Sequence, residues 1–481
     1  MAGVLQRVAA TAAAAAAARR GLATVAGSAA TRVGAVDARG AAAAAVAAGA
    51  ANTAAYYMGL EDKYGAHNYH PLPVVLSRGL GVMVWDVDEK PYFDFLAAYS
   101  AVNQGHCHPR LLRALREQAA RITLTSRAFY NDQLGPYEKY ITGLFGYDRV
   151  LPMNSGVEAG ETALKLARRW GYEVKRVPAD AAVMLFAHGN FWGRTMSAVS
   201  ASDDPDSYGG YGPLLPGLRK VPYADVGALE AALAADPNIV AFEVEPIQGE
   251  AGVVVPPDGY LAAVAAACKR HNVLFIADEV QTGIARTGRM LACDHEGVKP
   301  DILVLGKALS GGLMPVSAVL ARDEIMLTIK PGQHGSTFGG NPLACAVATE
   351  ALQIVEEEKL ADNAAARGVE LRAGLAALAT EFPSVLEGTR GKGLLNAILV
   401  RPDATDAAGR HLRAWDLCMG FKDAAAYGMR AGLLAKPTHD HIIRLAPPLV
   451  ITSKQVTECL DIMRTVIKAL HTNGAPPAPA H

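Results

Sequence analysis

From residue 64 onward the chain alternates two patterns. Short runs at 183–186, 239–244, 273–277 and 302–305 are almost continuously apolar and are bounded by polar residues or glycine. Runs of that length and character predict strands buried on both faces. Between them, 160–174 and 260–271 carry apolar positions at helical spacing. Strands alternating with helices predict an α/β domain around a largely parallel sheet, and in such sheets ligands bind in the loops after the strands. Beyond Asn341-Pro342, the stretch 343–378 predicts one long helix leading into a smaller C-terminal unit. There, Gly391-Lys392-Gly393-Leu394-Leu395 marks a turn entering a strand, and 442–445 is another strand. The segment 401–432 fits no regular pattern, and no internal repeat is found.

Composition narrows the classes. A chain of 481 residues implies roughly two to four structural units. With 46 basic and 47 acidic residues, the charge balance gives no support to nucleic acid or an anionic membrane as a partner. No run of about 18 strongly apolar residues occurs, so a soluble protein is expected. The six cysteines have neither CxxC nor metal-ligand spacing, so no metal and no disulfide framework is expected. The first fifty residues are rich in alanine, carry Arg7, Arg19, Arg20, Arg32 and Arg39, and hold only Asp37 as an acid before Glu61. Arginine without acid on helix-forming sequence is the character of an organelle transit peptide, mitochondrial first and plastid second.

The candidate chemistry lies after the strands. Asp278 follows 273–277, where on its own it reads first as a helix cap. Lys307 follows 302–305 and Gly306 and precedes Ser310-Gly311-Gly312. A lysine at that edge, if buried, loses pKa and becomes an amine able to condense with an aldehyde. Together the two match what pyridoxal 5'-phosphate (PLP) requires: a lysine for the aldehyde and an acid that keeps the ring nitrogen protonated. Asn154-Ser155-Gly156-Val157-Glu158-Ala159, opening a helix, offers N–H groups to a phosphate. Gly335-Ser336-Thr337-Phe338-Gly339-Gly340-Asn341-Pro342 is a second candidate. Asn190-Phe191-Trp192-Gly193-Arg194-Thr195 offers an aromatic ring and an arginine for a carboxylate.

These residues, with the run Leu274-Phe275-Ile276-Ala277-Asp278-Glu279-Val280-Gln281-Thr282-Gly283, then Arg286-Thr287-Gly288 and Lys307, resemble the class III aminotransferases. The resemblance covers about 64–451. It implies the fold type I PLP-dependent transferase architecture: a large domain with a mostly parallel seven-stranded sheet plus a smaller α+β domain. The division expected is 1–50 transit segment, 51–105 N-terminal segment packing with the small domain, 106–345 large domain and 346–475 small domain. Within the family, the resemblance is to members acting on the δ-amino group of ornithine with 2-oxoglutarate as acceptor and glutamate as product. It rests on Tyr64-Gly65-Ala66-His67-Asn68-Tyr69-His70-Pro71, Tyr99-Ser100-Ala101-Val102-Asn103-Gln104-Gly105-His106, Gln248-Gly249-Glu250-Ala251-Gly252 and Leu434-Ala435-Lys436-Pro437-Thr438-His439.

The resemblance also implies roles. Lys307 would hold the cofactor and move the proton, Asp278 would pair with the ring nitrogen, and Gln281 would bond the ring oxygen. Phe191 and Val280 would enclose the ring. Gly156 and Val157 would bind phosphate, with Thr337 supplied by a partner subunit of a homodimer or larger homo-oligomer. Tyr69 and Tyr99 would contact substrate, Arg194 its far carboxylate, and Arg444 the carboxylate of 2-oxoglutarate beside the reacting carbon. Glu250 would mask Arg444 while ornithine is bound. The stretch Phe421-Lys422-Asp423-Ala424-Ala425-Ala426-Tyr427-Gly428-Met429 is longer than the family pattern and is expected to be a surface insertion. Acetylornithine and 4-aminobutyrate are the alternative donors. A dinucleotide-binding dehydrogenase would need GxGxxG after its first strand, which is absent. A non-catalytic PLP-binding protein would not need the two arginines.

Overall fold

The computed structural model describes residues 52–473; the transit-type segment expected at 1–50 lies outside them. The chain divides into two compact units between Val75 and Leu76. The described part of the first holds α1 (Ala54–Tyr64), opened by Thr53, whose hydroxyl accepts the Tyr56 N–H at 3.1 Å. It also carries Tyr69, which is largely exposed.

The second unit contains three sheets. In the first, β1 (Leu76–Leu80), β2 (Met83–Asp86) and β3 (Pro91–Asp94) form an antiparallel meander. The central sheet has seven strands: β4 (Arg149–Met153), β5 (Val183–Ala187), β6 (Leu218–Val221), β7 (Ile239–Val244), β8 (Leu274–Asp278), β9 (Ile302–Leu305) and β10 (Ser317–Ala321), in the order β4-β10-β9-β8-β7-β5-β6. Only β10 runs antiparallel to its neighbours. The third sheet, order β11-β12-β15-β14, is antiparallel: β11 (Leu386–Lys392), β12 (Leu395–Val400), β14 (Lys436–Thr438) and β15 (Ile442–Leu445). Between β12 and β14, β13 (Gly432–Leu434) leaves that sheet and pairs in parallel with β3, closing the first.

The apolar runs become strands because both faces of the central sheet are covered. On one face α2 (Gly156–Glu173) packs Ala163, Leu166, Ala167 and Trp170 against Met184, Phe186, Ile276 and Val304. On the other, α3 (Tyr260–Arg270) packs Leu261, Val264 and Cys268 against Leu185, Phe242 and Phe275. Each such large side chain withdrawn from water contributes about 1.5–3 kcal/mol. Alternate residues of one strand serve opposite faces, so the run is apolar throughout.

One expectation is corrected. The stretch 343–378 is not one helix but α4 (Pro342–Glu357) and α5 (Leu360–Glu381), broken where Lys359 takes a left-handed φ of 51°. No glycine announces that break. The stretch 421–429 lies largely at the surface, with Asp423, Ala425, Ala426 and Gly428 exposed, but it is anchored at two points. Phe421 lies in the last turn of α6 (Ala414–Lys422), a 3-10 turn Ala424–Tyr427 follows, and Phe421 and Ala424 have no exposed surface. Gly420 explains the fit. A Cβ there would stand 2.6 Å from Val466 of α7 (Ser453–Asn473), so the two helices approach as only glycine allows.

Candidate active site

The carboxyl ends of β7, β8 and β9 open into one cavity of about 250 Å³. Gly156, Val157, Phe191, Asp278, Val280, Gln281 and Lys307 all line it, as do Trp192, Gly193, Glu245 and Ile247. Seven residues selected from sequence are thus brought to one place from four separate segments.

Each is fixed by local geometry. Ser155 caps α2 in a reciprocal box: its hydroxyl accepts the Glu158 N–H at 3.3 Å, and the Glu158 carboxylate accepts the Ser155 N–H at 2.6 Å. The N–H groups of Gly156 and Val157 lie in the first turn beyond that cap, where an anion is favoured. Gly156 must lack a Cβ, which would stand 2.9 Å from a Val280 methyl. Gly193 is likewise required: a Cβ there would meet Val157 at 2.2 Å, and its φ is 147°. Gly249 leaves the space that Gln281 fills, with the amide only 2.3 Å from where a Cβ would sit.

Asp278 ends β8. One oxygen accepts the Val280 N–H at 2.9 Å, while the other takes no hydrogen bond from the described residues. Burial raises its pKa, opposed by that N–H and by Lys307. Lys307 opens the 3-10 turn after β9 with a left-handed φ of 44°, the strained backbone that clusters at functional sites. It makes no ion pair among the described residues. Burial lowers its pKa, with Asp278 and Glu245 opposing.

Sequence reasoning passed over Glu245, which lies beyond β7 and joins two loops. Its carboxylate accepts the Phe191 N–H and the Gly249 N–H, each at 3.0 Å. Burial and the neighbouring Asp278 push it up to about 8. Glu-Pro after an apolar strand was the available signal, but it also reads as a plain strand end.

A second group stands beside the cavity. Arg444, on β15, is buried, and its Nη1 lies 2.9 Å from Glu250 Oε2. The pair is in ionic contact but off the angles of a hydrogen bond, so Nη1 and Nε remain without such a partner. The Arg444 guanidinium lies 4.9 Å from the Tyr99 ring centre, and the Lys436 ammonium 5.9 Å. Tyr99 is presented by a backbone run of four left-handed residues, Ala97 to Ser100. Arg194 does not line the cavity; it lies over Phe191, guanidinium to ring centre 5.4 Å. Thr337 is exposed, next to Ser336, whose hydroxyl accepts from Asn154 at 3.0 Å, and it lines no part of this cavity. Tyr69 belongs to the N-terminal unit.

The residues present fit PLP. One wall has glycine-flanked N–H groups for a phosphate, another an acid with a free oxygen for a ring nitrogen, and between them stands a lysine of lowered pKa. The sequence model of the family described as Aminotransferase class-III matches residues 64–467. The chain belongs to the class III aminotransferases. This aminotransferase is 60% identical over 410 residues to a mitochondrial ornithine aminotransferase of Drosophila melanogaster, covering 85% of this chain and 91% of the relative. Among solved structures it is similar to the ornithine aminotransferase of Toxoplasma gondii, which has PLP at partial occupancy in its active site. The identity is 48%, the TM-score 0.82, and 87% and 96% of the two chains are covered. An acetylornithine aminotransferase from Elizabethkingia anophelis is 54% identical, with TM-score 0.76 and 86% and 99% covered. The fold type I expectation, with a mostly parallel seven-stranded sheet and a smaller α+β part, agrees with these neighbours.

Proposed function

We propose that this aminotransferase moves the δ-amino group of ornithine to 2-oxoglutarate, with PLP held on Lys307. The products are glutamate 5-semialdehyde, which cyclises to pyrroline-5-carboxylate, and glutamate. The observation that carries the donor choice is the Glu250–Arg444 pair at 2.9 Å. Unmasked, Arg444 would seize the α-carboxylate of any amino acid and present its α-amine.

When bound, PLP supplies an aldehyde and an electron-withdrawing ring. Asp278 would keep a proton on the ring nitrogen through its free oxygen, and Gln281 would donate to the ring oxygen. Gly156 and Val157 would hold the phosphate through N–H groups, and Phe191 and Val280 would enclose the ring. Lys307 Nζ takes the proton from ornithine's δ-carbon; its lowered pKa favours the neutral amine that this transfer needs. Arg194 grips the carboxylate far from the reacting carbon, and Tyr99 contacts the substrate beside Arg444. In the second half-reaction Glu250 leaves Arg444, which then binds the carboxylate beside the keto carbon of 2-oxoglutarate.

A homodimer in which Thr337 reaches the partner's phosphate accords with the exposure of that loop. Location in the mitochondrial matrix accords with the arginines of segment 1–50, and the Drosophila relative is itself named as mitochondrial. The division into 51–105, 106–345 and 346–475 stands as part of the same reading.

The test is an absorbance titration of the yellow holoenzyme with ornithine, acetylornithine and 4-aminobutyrate, with the product identified by mass. Ornithine should bleach the colour fastest and yield only the δ-semialdehyde. Faster bleaching by acetylornithine would replace this donor with the alternative.

A further inference from the structure

Ornithine and 2-oxoglutarate both present a carboxylate far from the reacting carbon, and Arg194 is read above as its receptor. The Arg194 side chain is 57% exposed. A long, exposed arginine samples many rotamers, and fixing them costs free energy each time a ligand binds. Here the guanidinium is already held from two sides. It lies over the Phe191 ring, and Nη1 donates to Ser207 Oγ. Ser207, which is buried, donates in turn to Asp204 Oδ2 at 2.6 Å. Asp204 is tied to backbone on its own account. Its Oδ1 accepts the Asp206 N–H at 3.0 Å, and its N–H donates to Ser202 Oγ at 3.1 Å. Orientation therefore passes from the short helical turn Pro205–Tyr208 through Asp204 and Ser207 to the guanidinium.

The geometry separates orienting from masking. A guanidinium has five N–H donors, and a bidentate carboxylate needs two. Ser207 occupies one, and Asp204 stands behind it at 3.9 Å from Nη1, too far to hydrogen-bond. Glu250, by contrast, sits directly on Arg444 at 2.9 Å. One arginine is covered by a carboxylate; the other is held by its neighbours and keeps donors open.

We propose that Ser207 and Asp204 are positioning residues that aim Arg194 at the distal carboxylate of both substrates. The proposal rests on the reading of Arg194 given above. Holoenzyme carrying Ser207→Ala should raise KM for ornithine and for 2-oxoglutarate about three- to tenfold, the cost of re-fixing one long side chain. Its kcat should stay within about twofold, because no reacting atom is touched. Ser207→Thr keeps the hydroxyl and should restore KM. The single turnover of 1,4-diaminobutane, which has the amine but no carboxylate, should be unchanged, whereas a loop that had merely collapsed would slow it too. Arg194→Ala completes the set. If Arg194→Ala raises KM for ornithine and Ser207→Ala does not, the aiming role is overturned and the receptor role stands. If Arg194→Ala leaves KM unchanged, both fall. Equal loss with 1,4-diaminobutane overturns the aiming role as well.

Discussion

Arg444 is buried and meets a carboxylate at 2.9 Å, yet two of its nitrogens have no hydrogen-bond partner among the described residues. A guanidinium so placed is neither fully satisfied nor free. Charge alone holds Glu250 there, and the Glu250 side chain is 42% exposed, with room to leave. Such a pair discriminates between ligands without a fixed lock. An incoming α-carboxylate has to outcompete Glu250, and a ligand bringing two carboxylates does so best. Glu250→Gln keeps the shape and removes the charge, and with it the Coulomb attraction that holds the pair. The expected outcome is about tenfold or greater gain in single-turnover efficiency with glutamate, the equivalent of about 1.4 kcal/mol. Some ornithine should then be processed through its α-amine. Mass analysis of the ornithine product checks this, and a variant yielding only δ-semialdehyde with unchanged glutamate kinetics would remove Glu250 from the gate.

Two elements carry features that burial and periodicity alone do not explain. The first is the left-handed turn that presents Tyr99. Each non-glycine residue in that conformation costs about 1–2 kcal/mol. Asp94 Oδ1 accepts the N–H groups of Leu96 and Ala97 at 2.9 and 2.8 Å, and the Tyr99, Ser100, Ala101 and Val102 N–H groups bond back to Leu96 and Ala97. Ala98 has φ 49° and ψ 45° and is exposed, so its methyl contributes strain without packing. Ala98→Gly is therefore expected to raise unfolding free energy by about 1 kcal/mol, read from urea midpoints at constant slope. The second is β7, whose Glu243 is buried with no hydrogen-bond partner for either oxygen. Burial, then the acids that face it, Asp278, Glu245 and Glu161, hold its pKa well above the ordinary 4.5. Above pH 4.5 the unfolded chain releases this proton and the folded chain keeps it. The unfolded state then binds fewer protons, and stability falls as pH rises, by at most about 1.4 kcal/mol per pH unit for one group. Glu243→Gln does not titrate. Its melting temperature relative to the parent protein should climb from pH 5.5 to pH 8, measured on the cofactor-free form, and a constant difference would mean that Glu243 ionises normally.

The central sheet and its cavity were legible in sequence because parallel strands covered on both faces leave continuous apolar runs, and the residues after them are displayed at one edge. Lys307 and Asp278 follow such runs and were found that way, whereas Gln281 came only with the family resemblance. What was not legible depends on contacts remote in sequence. The break at Lys359 has no glycine to mark it, and the burial of Phe421 is decided by a helix some forty residues on. Ala97 to Ser100 contain no glycine to announce a left-handed turn, which is held by Asp94 at its start and by backbone bonds back to Leu96 and Ala97. Glu245 looked like a strand end until Phe191 and Gly249 were seen to share it.

Arg286 shows how the whole molecule brings these parts to one site. It was noticed only as part of a family motif, yet its side chain has no exposed surface. Nη1 donates to the carbonyls of Leu394 and Pro447 at 3.0 and 2.6 Å, and Nη2 to Asn103 Oδ1 at 2.5 Å. Asn103 follows the Tyr99 turn, Leu394 lies in the β11–β12 corner, and Pro447 follows β15 with Arg444. Arg286 itself lies just beyond Asp278 and Gln281, so one guanidinium ties the cofactor wall to the carboxylate-binding group. Arg286→Met fills similar space but leaves three buried acceptors without their donor, each worth about 1–3 kcal/mol. Relief from burying a charge offsets part of that, and a net loss of about 3 kcal/mol or more is expected in urea unfolding. Arg286→Lys, with a point charge that cannot span all three partners, should fall between. Because the tether joins Tyr99 and Arg444 to the cavity, kcat/KM for ornithine should fall even at temperatures where the variant is folded, while PLP absorbance at saturating cofactor persists. Unfolding within about 1 kcal/mol of the parent, with kcat/KM intact, would show that the two groups are joined by packing and not by this arginine.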